Sequence, residues 1–177
     1  LSVPRLDIPD DASAALTDLN GSILGELDAQ IAVADGPEAV LSWVLESVRE
    51  LVAASDRPIE DLAAIGIGLP GPVEHSSGRP INPPIMPGWD RFDVPGHLQG
   101  TYPVPVLVDN DVNIMALGER RGHLRDVDDL VLIKVATGIG AGIVSGGILQ
   151  RGAQGTAGDL GHVRVPGAED VPCRCGN

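Results

Sequence analysis

Pro103-Val104-Pro105-Val106-Leu107-Val108-Asp109-Asn110-Asp111-Val112-Asn113 is the stretch that decides the fold. Residues 103–108 form a short apolar run in which Val alternates with Pro and Leu, which fits a buried strand. At Asp109 the run turns polar, and helical spacing then continues to about Arg121. A buried strand feeding directly into a helix is the building unit of an α/β sheet.

Working outward, the same reading recurs. Upstream, Leu62-Ala63-Ala64-Ile65-Gly66-Ile67-Gly68 reads as a second buried strand, stopped by Pro70-Gly71-Pro72. Before it, Val40, Leu41, Val44, Leu45, Val48, Leu51 and Val52 recur at helical spacing, with Asp35 as the expected N-cap and Glu38 three residues on. Alternating apolar and polar residues around Asn20-Gly21 predict a hairpin of two strands, about residues 14–19 and 22–31. Residues 74–90, rich in Pro, Gly and Asn, read as a long ordered loop, a length often reserved for function. Downstream, the acidic patch at residues 126–129 looks like a link to a second unit. There, residues 130–135 and 142–144 read as strands flanking the turn Thr137-Gly138-Ile139-Gly140-Ala141.

Composition narrows the class. The 177 residues suffice for one domain or for one and part of another. With 43% apolar residues but only 2% aromatic ones, the core must be built from Val, Ile, Leu and Ala. Twelve basic against 25 acidic residues give a net charge of −13, with no basic cluster to neutralise phosphates, so this segment does not grip nucleic acid by itself. No apolar run approaches the roughly 20 residues of a membrane span. The start at Leu1-Ser2-Val3-Pro4 lacks a signal-peptide pattern, so a cytoplasmic protein is expected, with its true N-terminus upstream.

Three groups of residues carry candidate chemistry. Asp111 stands at a helix N-terminus, where free N–H groups and the helix dipole favour an ionised carboxylate, and Asn110 offers both donor and acceptor to a polyol. A base for hydroxyl chemistry and a plain helix cap both satisfy that pattern. The glycines of Thr137-Gly138-Ile139-Gly140-Ala141-Gly142 allow close backbone approach to an anion. Ile143-Val144 follows them where a dinucleotide fingerprint would open a helix, so a hairpin fits better. Finally, Gly158-Asp159-Leu160-Gly161-His162 and Cys173-Arg174-Cys175 supply one imidazole and two thiols. That is three-quarters of a tetrahedral zinc set, although Cys-x-Cys is not the usual spacing and a surface His with two unrelated thiols is the alternative.

Taken in order, these segments resemble the ROK family of sugar-responsive repressors and sugar kinases. The resemblance runs over about residues 12–177 and rests on five motifs: the strand and turn at residues 65–72, the loop from Pro83-Pro84 to Gly88-Trp89, the Asp109-Asn110-Asp111 segment with Ala116-Leu117-Gly118-Glu119, the glycines 138–147, and residues 155–177. It implies an α/β, actin-like ATPase (ribonuclease H-like) fold, with a first lobe over residues 1–120 and the beginning of a second, incomplete lobe over 121–177.

The resemblance also implies roles. Asp111 is the catalytic base in family kinases; Gly71, Asn110, Asp111, Asp159 and His162 bind sugar. Thr137 and Gly138 face the phosphates of ATP, with magnesium, and His162, Cys173 and Cys175 hold a structural zinc. A homo-oligomer is expected. Two positions depart from the kinase pattern. Asp7-Ile8-Pro9-Asp10-Asp11 stands where kinases carry a glycine-rich phosphate turn, and carboxylates there would repel phosphates. Asp159 is one methylene shorter than the usual Glu. A fourth zinc Cys and a later sugar-binding Glu are expected beyond Asn177. The disrupted phosphate turn, the absence of an initiating Met and the wording of the motif from Val108 to Glu119, which is similar to that of family regulators, favour the sugar-sensing domain of a transcriptional regulator whose DNA-binding helix-turn-helix is expected upstream. The alternative is an ATP-dependent sugar kinase acting on hexoses or N-acetylhexosamines.

Overall fold

The computed structural model describes residues 11–136, 138–153, 155–163 and 166–167. It opens with the expected hairpin: β1 (Asp11–Thr17) and β2 (Ile23–Gln30) pair antiparallel. The turn closes earlier than the alternation alone suggests, because the Asp18 carboxylate accepts hydrogen bonds from the backbone N–H groups of Asn20 and Ser22, both at 2.8 Å. Gly21 takes the positive φ of 85° that this turn requires.

The long helix α1 spans Pro37–Ala54 and buries Val40, Leu41, Leu51 and Val52 along one stripe. Its N-cap is Gly36, not Asp35 as expected. Pro37 occupies the first turn, and Asp35 instead ends a 3-10 turn over Val33–Asp35, where its carboxylate accepts from the Ala32 N–H. Another 3-10 turn at Ile59–Asp61 delays the next strand. β3 therefore covers Ile65–Leu69, three residues later than the apolar run begins.

The segment 74–90, expected to be a loop, contains most of a small antiparallel hairpin, β4 (Val73–Glu74) with β5 (Arg79–Pro80). The loop beyond it is pinned by Trp89, which is fully buried and donates from Nε1 to the Val33 carbonyl at 2.8 Å. A short helix not anticipated from sequence, α2 (Val94–Gln99), follows; Asp93 caps it by accepting from the Gly96 N–H. Then β6 (Val106–Asn110) pairs parallel with β3, placing Ile67 beside Val108 and Leu69 beside Asn110. The core around this pair contains Leu41, Trp89, Leu98 and Val108. Burying one such side chain contributes about 1.5–3 kcal/mol.

Helix α3 (Asp111–Arg121) begins directly at the end of β6 with Asn110 as N-cap. Beyond it, β7 (Leu130–Val135), β8 (Ile139–Ser145) and β9 (Ile148–Leu149) form an antiparallel sheet. A second core joins Ala116 of α3 to Val144 and Leu149. The expected strand at residues 142–144 starts at Ile139, so Ile139, Gly140 and Ala141 lie within β8 and not in a turn. Ile139 already pairs with Val135 of β7. A Cβ at Gly142 would meet Ala116 Cβ and the Val112 carbonyl oxygen at 2.5 Å, so a glycine there lets α3 lie directly on the strand. Among the described residues, no helix is long and apolar enough to cross a membrane.

Candidate functional site

Part of the expected site, Asn110 and Asp111 with the Gly71 turn, gathers at the carboxyl end of β6, where ligands of open α/β sheets collect. Asp109, Asn110 and Asp111 each reach a different segment. Asn110 accepts from the Val112 N–H through Oδ1 at 3.0 Å and donates from Nδ2 to the Gly71 carbonyl at 3.0 Å. It therefore caps α3 and ties the Pro70-Gly71-Pro72 turn to the strand end. A Cβ at Gly71 would lie 3.2 Å from both Met86 Sδ and Pro83 Cβ, so the glycine keeps that turn close against the loop.

Asp111 is half-buried. Its Oδ1 accepts from the Val112 N–H at 2.6 Å, and its Oδ2 accepts from Lys134 Nζ at 2.6 Å. Asp109 is 7% exposed and fully engaged. Its Oδ1 accepts from the Asn110 N–H at 2.8 Å and from Asn113 Nδ2 at 2.9 Å. Its Oδ2 accepts from Arg151 Nε at 2.9 Å and Nη2 at 2.7 Å, with His75 Nδ1 3.5 Å away. Such side-on, charge-assisted pairing satisfies a carboxylate that would be costly to bury alone.

A second focus lies in an open cleft of about 380 Å³. Pro72, Asn82, Pro84, Thr156, Asp159, His162 and Val163 line it. That volume falls in the range of about 300–1,000 Å³ common to small-molecule sites. Asp159 precedes a 3-10 turn at Leu160–His162. Burial pushes the Asp159 carboxyl up from its ordinary range, and the charge of His162 opposes that rise. The structure thus brings Asp159 and His162 together in one cleft with Pro72, which follows Gly71. Asn110 and Asp111 are not among the cleft's lining residues.

Gly138 is exposed at the β7–β8 turn, where its carbonyl accepts from the Ala136 N–H at 2.9 Å. Thr137, Cys173 and Cys175 lie outside the described residues, as does Asp10 of the acidic start. His162 is exposed, and an imidazole with two thiolates is a donor set that suits tetrahedral zinc. Among the described residues, no three His, Cys, Asp or Glu side chains converge as a metal cluster.

The ROK family model matches residues 9–177. The chain belongs to the ROK family. A putative xylose repressor from Caldicellulosiruptor sp. (strain Rt8B.4) is 36% identical over 163 residues, covering 92% of this chain and 40% of the relative. A glucokinase from Halalkalibacterium halodurans is 32% identical over 157 residues, covering 88% of this chain and 47% of the relative. Among solved structures, a ROK family transcriptional regulator, a homolog of the E. coli MLC protein, superposes with a TM-score of 0.77 at 31% identity over 95% of this chain and 42% of its own. The ROK glucokinase of Streptomyces griseus, solved with glucose and AMPPNP, gives a TM-score of 0.76 at 29% identity over 95% of this chain and 51% of its own. The fold is therefore the actin-like, ribonuclease H-like α/β fold of ROK proteins, and the chain spans about half or less of their length. Repressors and kinases both stand among its relatives.

Sequence reasoning missed Lys134, Arg151 and His75. One signal existed for Lys134, the lone charge inside the apolar run at residues 130–135. For Arg151 and His75 no local pattern marks them, since their partner Asp109 is distant in the chain.

Proposed function

We propose that this chain is the sugar-sensing effector region of a ROK-family transcriptional regulator, with DNA read by a helix-turn-helix unit elsewhere in the complete protein. One observation carries the reading: Lys134 Nζ sits on Asp111 Oδ2 at 2.6 Å while the Val112 N–H sits on Oδ1. A kinase needs this carboxylate as a base for the attacking hydroxyl. With a counter-ion on one oxygen and a backbone donor on the other, it is better suited to a fixed acceptor, which holds a sugar hydroxyl without activating it.

The remaining site residues fit this role. Gly71 and Asn110 present backbone and amide groups near the strand ends, while Asp159 and His162 supply polar groups to the neighbouring cleft. Zinc, held by His162, Cys173, Cys175 and a further ligand in the complete protein, would rigidify the segment that follows the cleft. The acidic Asp10-Asp11 sequence, where kinases carry a phosphate turn, further supports a site that does not hold ATP. The repressor relatives support a sugar effector and a DNA partner for the complete protein.

The test is ATP consumption by the complete protein across a panel of pentoses, hexoses and N-acetyl sugars. The proposal expects no sugar-dependent turnover. Turnover that vanishes in Asp111→Asn would make the protein a sugar kinase, with Thr137 and Gly138 facing the nucleotide.

A further inference from the structure

We propose that Arg151 is a positioning residue of the sugar site: through Asp109 it fixes the segment bearing Asp159 and His162 against the strand end bearing Asn110 and Asp111. The inference rests on the sugar-site reading and names the contact that assembles its two halves.

Arg151 follows β9, the last strand of the second sheet, and its partner is 42 residues earlier at the end of β6. The guanidinium delivers two hydrogen bonds to one oxygen of a carboxylate whose other oxygen is already occupied by the Asn110 N–H and Asn113 Nδ2. Asp109 therefore has a single orientation, and so does the arginine it receives. The Arg151 carbonyl accepts from the Ala157 N–H at 3.1 Å, so the chain doubles back from this residue. The next anchor is the Gly158 carbonyl, which accepts from the Ala141 N–H of β8 at 2.7 Å. Between those two anchors and just beyond them lie Thr156, Asp159 and His162 of the cleft wall.

Each end of the segment is thus held by a different part of the molecule. Gly158 ties it to its own sheet. Arg151 ties it across to β6, two residues from Asp111. If the second tie is released, the wall bearing Asp159 and His162 keeps its own sheet but loses its distance from the Gly71 turn. Misplacement on that scale is costly in a site built from convergent polar groups. His75, from the turn after β4, stands 3.5 Å from the same Asp109 oxygen and adds a third segment to the node.

The experiment compares the complete protein with Arg151→Met, Arg151→Lys, Asp109→Asn and the double variant Asp109→Asn with Arg151→Gln. Sugar affinity is read by calorimetry, and backbone protection by amide exchange. Arg151→Met should weaken sugar binding about ten-fold, and the double variant, which restores a neutral hydrogen-bonded pair, should recover much of that loss. Arg151→Lys, keeping the charge but one bond fewer, should fall between. In the absence of sugar, exchange at Ala157, Leu160 and His162 should quicken in Arg151→Met while residues 65–69 and 106–110 stay protected. Wild-type protection at those three amides in Arg151→Met would overturn the proposal, as would unchanged sugar affinity. A wild-type protein that binds no sugar, yet shows the local loss of protection, would overturn only the sugar reading on which the affinity arm depends.

Discussion

Lys134, the penultimate residue of β7, donates to the carboxylate of Asp111, the first residue of α3, at 2.6 Å. The contact ties the helix N-terminus to the second sheet and gives the site a cation that its motif does not contain. Lys134 and Asp111 retain 35% and 24% of their side-chain exposure, so solvent screens the pair. Lys134→Met is expected to cost about 0.5–1 kcal/mol, the upper part of the range for exposed pairs. Urea unfolding at low and at high salt checks this, because the difference from wild type should shrink as salt rises.

Two glycines of this region should respond oppositely to alanine. At Gly142 an added methyl meets Ala116 and the Val112 carbonyl at 2.5 Å, and α3 must shift. Gly142→Ala is expected to destabilise by about 1–3 kcal/mol. Gly118 lies within α3 with open space around its Cβ position, so Gly118→Ala should stabilise by about 0.5–1 kcal/mol. Denaturant midpoints of the two variants decide it.

Asp129 should contribute to acid sensitivity. Its carboxylate accepts from the Ser145 hydroxyl at 2.8 Å and the Gly146 N–H at 3.0 Å, and these bonds hold its pKa below the ordinary 3.8. Between the lowered folded value and the unfolded one, the unfolded chain binds the extra proton. The stabilisation is therefore complete above the unfolded value and is lost as pH falls through the folded one. Thermal melts of wild type and Asp129→Asn should differ at neutral pH and converge in strong acid. A difference that persists there would assign the effect to packing.

Metal content provides a separate check on the segment after the cleft. The complete protein should carry about one zinc per chain, and Cys175→Ser should lower that content sharply. A folded, metal-free protein would remove zinc from the account.

Much of the fold was legible because local signals agreed with packing. The apolar stripe of α1, the strand entering α3 and the Asn20-Gly21 hairpin all follow the period of their elements. Helix α2 was not legible, since Val94-Pro95-Gly96 is a poor helix former. It exists because Asp93 caps it and because Val94 and Leu98 are fully buried. Ile139-Gly140-Ala141 read as part of a turn because nothing local announces that the strand is already paired with β7 from Ile139 on. In the site, Asn110 and Asp111 were visible from their place between strand and helix. Lys134 and Arg151 were not, because their partners lie 23 and 42 residues away and only the folded chain brings them together.

Sugar binding without nucleotide is the measurement that bears most directly on the central claim. Calorimetric titration of the complete protein with the sugar panel, in the absence of ATP, should find a ligand. Asp111→Asn should weaken its binding by about 1.5–3 kcal/mol, roughly ten- to hundred-fold, as expected for losing a charged acceptor. Binding that requires ATP, or that is unchanged in Asp111→Asn, would contradict the account.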